Sequence, residues 1–357
     1  MKKLILKLAA AFAPLLALIL FVVFVFDPYN CVHYKQNIAE YTRDTGFTRN
    51  ERVIKMRYIL DGEKEYDALM FGASRAAFIH ADKVYPGSIY NMSYSSGCMQ
   101  EIYENILVLD KKHKMPGHVY IAIDNASLGP KTSNTGFVKN YPVSGFLPEL
   151  YLSYATEINF EMIKKCVQYY SGNYQKSTVY ENAYTTATTT DEGGNYCALT
   201  QEDIIEADPA AHAAQDFFKD EIEAYKPVDS TESRKQLKTI KEICDKNGCA
   251  LTLVILPDYY TTYLGSDPYN LMLFTVDAAS ICETYSFAGI NELTRDNYNW
   301  YERSHFRPHI IGDMIARTVF LDEKYEQYSD GWFGAKITPE NAEEYKQFII
   351  SQLEQFD

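Results

Sequence analysis

The chain has 357 residues, with 48 Asp and Glu against 34 Lys and Arg, and a formal net charge of −14. That balance argues against a nucleic-acid partner, which needs a basic face. The apolar fraction of 46% is ordinary for a chain that fills a sizeable core. Thirty tyrosines lift the aromatic share to 14%. Packing accounts for them, and a carbohydrate-facing surface is the alternative.

Residues 1–27 read as a transmembrane anchor. Lys2, Lys3 and Lys7 precede an uncharged run from Leu8 to Phe26. These 19 residues span roughly 28 Å as a helix, close to the hydrocarbon thickness of a bilayer. The positive-inside rule then places residue 1 in the cytoplasm and the rest outside the plasma membrane. A cleavable signal peptide is the competing reading. Its apolar stretch would be shorter and followed by small residues, whereas this one ends in Phe26-Asp27-Pro28-Tyr29. An uncleaved, single-pass anchor is expected, followed by a polar juxtamembrane stalk over 28–50 and one α/β domain over 51–357.

Within that domain, Val53, Met56, Ile59 and Leu60 have helical spacing and predict a helix over 49–63. The apolar run Ala68 to Phe71 reads as a strand that breaks at Gly72, with a helix or turn from Ser74 to about Val84. After the Pro86-Gly87 turn come a strand over 88–93, a helix over 97–109 and a strand over 118–124. Alternating strands and helices predict a doubly wound, mainly parallel sheet. The stretch 126–230 breaks the rhythm. It is rich in Tyr, Thr, Ser, Asn and Gly, with one helix near 160–170, and reads as an inserted cap over the sheet's carboxyl edge. The rhythm resumes with a helix over 230–247 and an apolar, central strand over 249–256, ended by Pro257-Asp258. A helix over 270–285, a polar loop over 296–308 and a helix over 309–320 follow. A last helix starts at Thr338-Pro339.

Two stretches bear on chemistry. A serine just after a strand that ends at glycine sits at the carboxyl edge of a parallel sheet, where α/β folds place their sites. Ser74 is there either a nucleophile, if a base reaches it, or a helix N-cap. In Glu302-Arg303-Ser304-His305 a carboxylate three residues before a histidine can hold Nδ1 and leave Nε2 to take a serine's proton. Otherwise Glu302 is a surface group beside an incidental histidine. Arg303 and Arg307 flank His305, either near its ring or solvated at the surface. Arg75 either attracts an anionic substrate group or pairs with an acidic neighbour, and Asp258 reads as a substrate-loop residue. The seven cysteines match no zinc pattern, so neither a metal nor a cofactor is expected. Cys244 and Cys249 flank Asp245-Lys246-Asn247-Gly248 and could bridge across that turn.

The combination resembles the SGNH (GDSL-like) hydrolase superfamily. Its nearest subset is the membrane-anchored acyl-transfer proteins of bacterial envelopes, such as alginate O-acetylation proteins and the D-alanyl transfer protein of teichoic acid modification. Phe71-Gly72-Ala73-Ser74-Arg75 resembles the first block and Asn91-Met92-Ser93-Tyr94-Ser95-Ser96-Gly97 the second. Ile121-Ala122-Ile123-Asp124-Asn125 stands at the third, and Glu302 to His305 resembles the last. The resemblance covers roughly 60–125 and 235–320.

It implies a flavodoxin-like SGNH fold with Ser74 as nucleophile, His305 as base and Glu302 as its orienter. Gly97 and Asn125 would supply oxyanion donors, and Arg75, Asn91 and Asp124 would line the substrate. Two positions depart from the pattern. The acid is Glu302 where the family has Asp, which makes Asp296 a rival. The third block lacks Gly-x-Asn-Asp, so either Asn125 donates in a shifted register or Asp124 occupies the place and the donor is lost. The implied function is an extracytoplasmic esterase or O-acyltransferase acting on acyl esters of envelope polysaccharide. Its partners would be an acylated glycan or acyl donor and a membrane-bound O-acyltransferase. The alternative is an inactive SGNH-like protein that binds glycan or scaffolds an envelope assembly.

Overall fold

The computed structural model describes residues 2–33, 50–130, 139–173, 189–218, 221–222 and 224–356. They fall into two compact units: Met1–Gly62 with Thr132–Glu181, and Glu63–Lys131 with Asn182–Asp357.

The first unit opens with one apolar helix, Lys2–Phe21, continued by wide turns over Val22–Phe26. Its 25 residues are long and apolar enough to cross a membrane. Asp27 ends it in the left-handed conformation. The Asp27 carboxylate accepts the backbone N–H groups of Cys31 and Val32, each at 2.9 Å, and of His33 at 2.7 Å. Residues 28–33 are thus a capped turn with Tyr29, Asn30 and Cys31 buried, not the start of a loose stalk. The remainder of the expected stalk, 34–49, lies outside the described residues. Helices Glu51–Asp61, Leu147–Thr156 and Phe160–Tyr170 complete the unit. Val22, Val23 and Phe26 pack with Val53, Leu150, Tyr154 and Met162 in one cluster. Two expectations are corrected here. The helix after residue 50 belongs with the N-terminal unit, and so do residues 139–173 of the expected insertion. Both carry apolar faces that the end of the first helix buries.

The second unit is mixed α/β. Its strands are β1 Ala68–Gly72, β2 Ile89–Asn91, β3 His118–Ile123, β4 Thr189–Thr190, β5 Tyr196–Cys197, β6 Ala250–Ile255, β7 Glu283–Ser286, β8 Trp300–Glu302, β9 His305–Phe306 and β10 Ala335–Ile337. Six form one sheet in the order β2-β1-β3-β6-β7-β10, parallel except for β10, which runs antiparallel to β7. The other four form two small antiparallel ladders, β4-β5 and β8-β9. Alternate residues Ala68, Met70, Tyr120, Ala122 and Val254 share a core with Ile315 and Ala316 of helix Asp313–Leu321. The residues between them, Leu69, Phe71, Val119, Ile121 and Leu253, are buried as well. Burial on both faces explains why these strands read as unbroken apolar runs.

Two strands of the main sheet escape the sequence pattern, as do the four short strands of the two ladders, of which β8 and β9 form within the expected polar loop 296–308. The helix expected over 270–285 is Pro268–Ala279, and Glu283–Ser286 is β7. No glycine or proline marks that helix's end. Thr338-Pro339 precedes the last helix, which starts at Ala342, because the strand β10 takes Ala335–Ile337. Part of the segment 189–218 reaches the carboxyl edge: the N–H of Asn91, the last residue of β2, donates to the Gly193 carbonyl at 2.8 Å. All seven cysteines are free thiols, so Cys244 and Cys249 form no bridge.

The chain leaves β1 for β2 on one side and returns to β3 on the other. The carboxyl ends of β1 and β3 therefore flank a topological switch point, where open α/β sheets bind ligands. Ser74 is the first residue of the short helix Ser74–Ala77 at that point.

Candidate active site

Three side chains line up at the switch point. The Ser74 hydroxyl lies 2.8 Å from His305 Nε2. His305 Nδ1 meets Glu302 Oε1, and the other oxygen of Glu302 accepts the Ser304 N–H at 2.7 Å. With Nδ1–H donated to Glu302, Nε2 is left to accept the serine proton. The tight turn between β8 and β9 makes this possible, because it brings Glu302 and His305 onto facing strands. Phe78, fully buried, sets its ring edge-on to the imidazole at 5.6 Å. The rival acid Asp296 is elsewhere, with its carboxylate accepting the Tyr298 N–H at 3.0 Å.

Burial would raise the Glu302 carboxyl. The hydrogen bond and charge of His305, the Ser304 N–H and the Arg75 charge outweigh that and hold it below the ordinary 4.5. A depressed folded-state value adds stability above about pH 4.5 that is lost as pH falls through it. Glu302→Gln is therefore expected to flatten the acid end of the stability curve. Denaturant unfolding followed from about pH 7 to about pH 3 checks this. An acid limb as steep as the wild type's would show that the pairing is absent in solution.

Arg75 takes the second of its two expected roles. Its guanidinium donates to Asp124 Oδ2 at 2.8 Å, pairs with Asp258 Oδ1, and gives Nε–H to the Ser304 carbonyl. The side chains of Arg75, Asp124 and Asp258 are 9%, 5% and 3% exposed. The substrate-facing assignments of Arg75, Asp124 and Asp258 are corrected accordingly. All three form an internal knot that ties the ends of β3 and β6 to the serine's neighbour and to the loop that carries the histidine. Asp124 also accepts the Ser127 N–H and hydroxyl, each at 2.8 Å.

Asn91 is likewise internal. Its amide donates to the carbonyls of Ala76 and Ile79 and to Asn195, while its oxygen accepts the Ser93 N–H at 3.0 Å. It fastens the helix after Ser74 to β2 and does not line a substrate. Asn125 differs: its side-chain amide is buried, and neither its nitrogen nor its oxygen has a hydrogen-bond partner among the described residues.

Gly97 does not offer its amide freely, because that N–H donates to the Tyr94 carbonyl at 3.2 Å. Its value is closeness. A Cβ there would lie 2.5 Å from the Gly72 carbonyl oxygen and 3.3 Å from Ala73 Cα. The turn before helix Met99–Lys111 thus rests directly on the backbone that presents Ser74. Gly97→Ala must push that backbone aside, and a loss of about 1–3 kcal/mol is expected, measured by chemical denaturation. An unchanged midpoint would show that the contact is loose.

Neither flanking arginine is turned to the imidazole. Arg303 donates to the Glu221 carbonyl at 3.1 Å. Arg307 is fully buried and holds Glu202 at 2.6 Å together with Glu206. Burial alone would lower its pKa, but those two carboxylates keep it above its ordinary value. Glu202, Glu206 and His309 place ligand-type atoms within 4.8 Å of one another. Arg307 already serves these carboxylates as their cation. A cavity of about 500 Å³ adjoins them, lined by His80, Lys83, Cys197, Glu202, Tyr301 and His309 among others. Its Tyr301 wall touches Phe78, which in turn touches His305.

No motif flags Phe78, Ser304 or Asn195: Phe78 reaches the site as the residue that closes the helix begun by Ser74, Ser304 comes with its neighbour His305, and only Asn195 is brought in from a distant segment. Comparison with known proteins gives no matching family model and no curated protein with significant similarity to the chain.

Proposed function

We propose that this is a serine esterase or O-acyltransferase of the SGNH type. It would be anchored by the N-terminal helix, with the catalytic unit outside the cytoplasm, and act on acyl esters of envelope polysaccharide. The observation that carries the reading is the alignment of Ser74, His305 and Glu302, with both hydrogen bonds of a nucleophile–base–orienter set in place.

Ser74 Oγ attacks the acyl carbonyl and its proton passes to His305 Nε2, while Glu302 stabilises the imidazolium. The carbonyl oxygen takes the negative charge. The resemblance assigns that charge to Asn125, whose buried amide is without a partner among the described residues. His305 then protonates the departing alkoxide, leaving an acyl group on Ser74. Water resolves it in an esterase, or a sugar hydroxyl in a transferase, with His305 taking the incoming proton. A membrane-bound O-acyltransferase that delivers acyl groups is the fitting partner.

A fluorophosphonate probe tests the class. It should label the wild type and fail on Ser74→Ala and His305→Ala. Feeding an acyl donor with and without an oligosaccharide acceptor then separates transfer from hydrolysis. A glycan-binding or scaffolding role is the second reading, and the occupied N–H of Gly97 is the observation on its side. A folded wild type that never labels would decide for it.

A further inference from the structure

The first unit carries a surface that the catalytic proposal does not use. Counted from Lys7, an uncharged helix fills the hydrocarbon by about Phe26, roughly 28 Å on. At that level the helix is not surrounded by lipid alone. Val22, Val23 and Phe26 are fully buried, whereas Phe24 and Val25 on the same turns are 40% and 51% exposed. They are buried by the helices Leu147–Thr156 and Phe160–Tyr170 together with Val53 of helix Glu51–Asp61 and the turn at Tyr29 and Cys31. Phe24 and Phe26 stand edge-on to Tyr151 and Tyr169, at 5.5 and 5.4 Å between ring centres. Tyr29 meets Tyr154 in the same way at 5.2 Å.

These two helices are therefore level with the last turns of the spanning segment. Their outward residues include large apolar ones, with Phe160 80% exposed, Leu152 70%, Phe146 63% and Val167 59%, interspersed with exposed Glu149, Glu161 and Lys164. Phe160 and Val167 are seven residues apart and share a helix face. Exposed apolar groups of this size mixed with charged ones, on helices that pack tyrosines against the end of a membrane helix, match the boundary between acyl chains and headgroups.

We propose that helices Leu147–Thr156 and Phe160–Tyr170 form a platform seated in the lipid interface at the carboxyl end of the spanning helix, with Leu152, Phe160 and Val167 in the upper acyl region. Lipid is the occupant because both helices pack on Val22, Val23 and Phe26, the last turns of the spanning helix, and so stand at the level where that helix leaves the bilayer. Helices so placed bury their apolar face about 5–10 Å into the interface.

The test uses the full chain in phosphatidylcholine nanodiscs, with tryptophan introduced singly as Leu152→Trp, Phe160→Trp and Leu16→Trp. Emission is compared with and without lipids brominated near the glycerol end, after subtracting the wild type, which has Trp300 and Trp332. Loss of roughly half of the added emission at 152 and 160 is expected. Quenching at 16 but none at 152 or 160 would overturn the platform while leaving the anchor intact. Shielding of 152 and 160 from aqueous acrylamide without quenching by bromolipid would assign the surface to a second copy, and would equally overturn it. Loss of quenching at all three positions would remove the anchor, and the platform with it. None of these outcomes depends on the chemistry of Ser74.

Discussion

Ser74→Ala is expected to lower turnover of an activated acyl ester by about 10⁴–10⁶, with little change in unfolding midpoint. The hydroxyl is the atom that attacks, so its loss leaves only binding and electrostatic stabilisation. His305→Ala should cost nearly as much, because an unassisted serine is a weak nucleophile. The double variant should be no worse than either single one, since the two act as a unit. Glu302→Ala should cost less, about 10⁴, because the imidazole survives and only its tautomer and orientation are lost. Losses that add across the double variant would mean that Ser74 and His305 serve separate steps. Steady-state kinetics on the four proteins reads this directly.

Arg75→Ala is expected to destabilise the protein by about 3–5 kcal/mol. The guanidinium pairs with both Asp124 and Asp258, and both carboxylates are almost wholly buried. Removing it leaves two like charges facing each other in a dry site. Arg75→Lys keeps the charge but not the planar fork, so it should recover only part of the loss. Neutralising the whole knot, with Arg75→Met, Asp124→Asn and Asp258→Asn together, should recover more, because it leaves no buried charge unpaired. That triple variant should still be slow. The Ser304 carbonyl, between Glu302 and His305, would lack its donor in either background. Denaturant midpoints and turnover on the same samples separate the two effects. Full activity in the triple variant would show that the histidine loop holds its own shape.

The strands β1, β3 and β6 were legible because they are buried on both faces and read as apolar runs ended by glycine, aspartate or proline. The pairing of Ser74 with His305 was legible too, since each follows a pattern with a chemical meaning. Which acids Arg75 pairs with, and the roles of Asp124 and Asp258, were not. They depend on β3 lying beside both β1 and β6, and no local pattern records which strand neighbours which. The same holds for Asn91, whose amide is consumed by the Ala76 and Ile79 carbonyls and by Asn195 from a segment about a hundred positions away. β7 was hidden because Glu283–Ser286 is short and lacks a preceding breaker. The grouping of 139–173 with the first helix was hidden because amphipathic periodicity reveals an apolar face but not what covers it.

The central claim, that Ser74 carries an acyl group during the reaction, is tested most directly by trapping it. The full-length protein would be exposed briefly to an activated acyl ester, quenched in acid, and read by intact mass and peptide mapping. The expected result is one added acyl group on the peptide that contains Ser74, absent from Ser74→Ala and His305→Ala. Turnover with no adduct on that peptide, or an adduct that persists in Ser74→Ala, would contradict it.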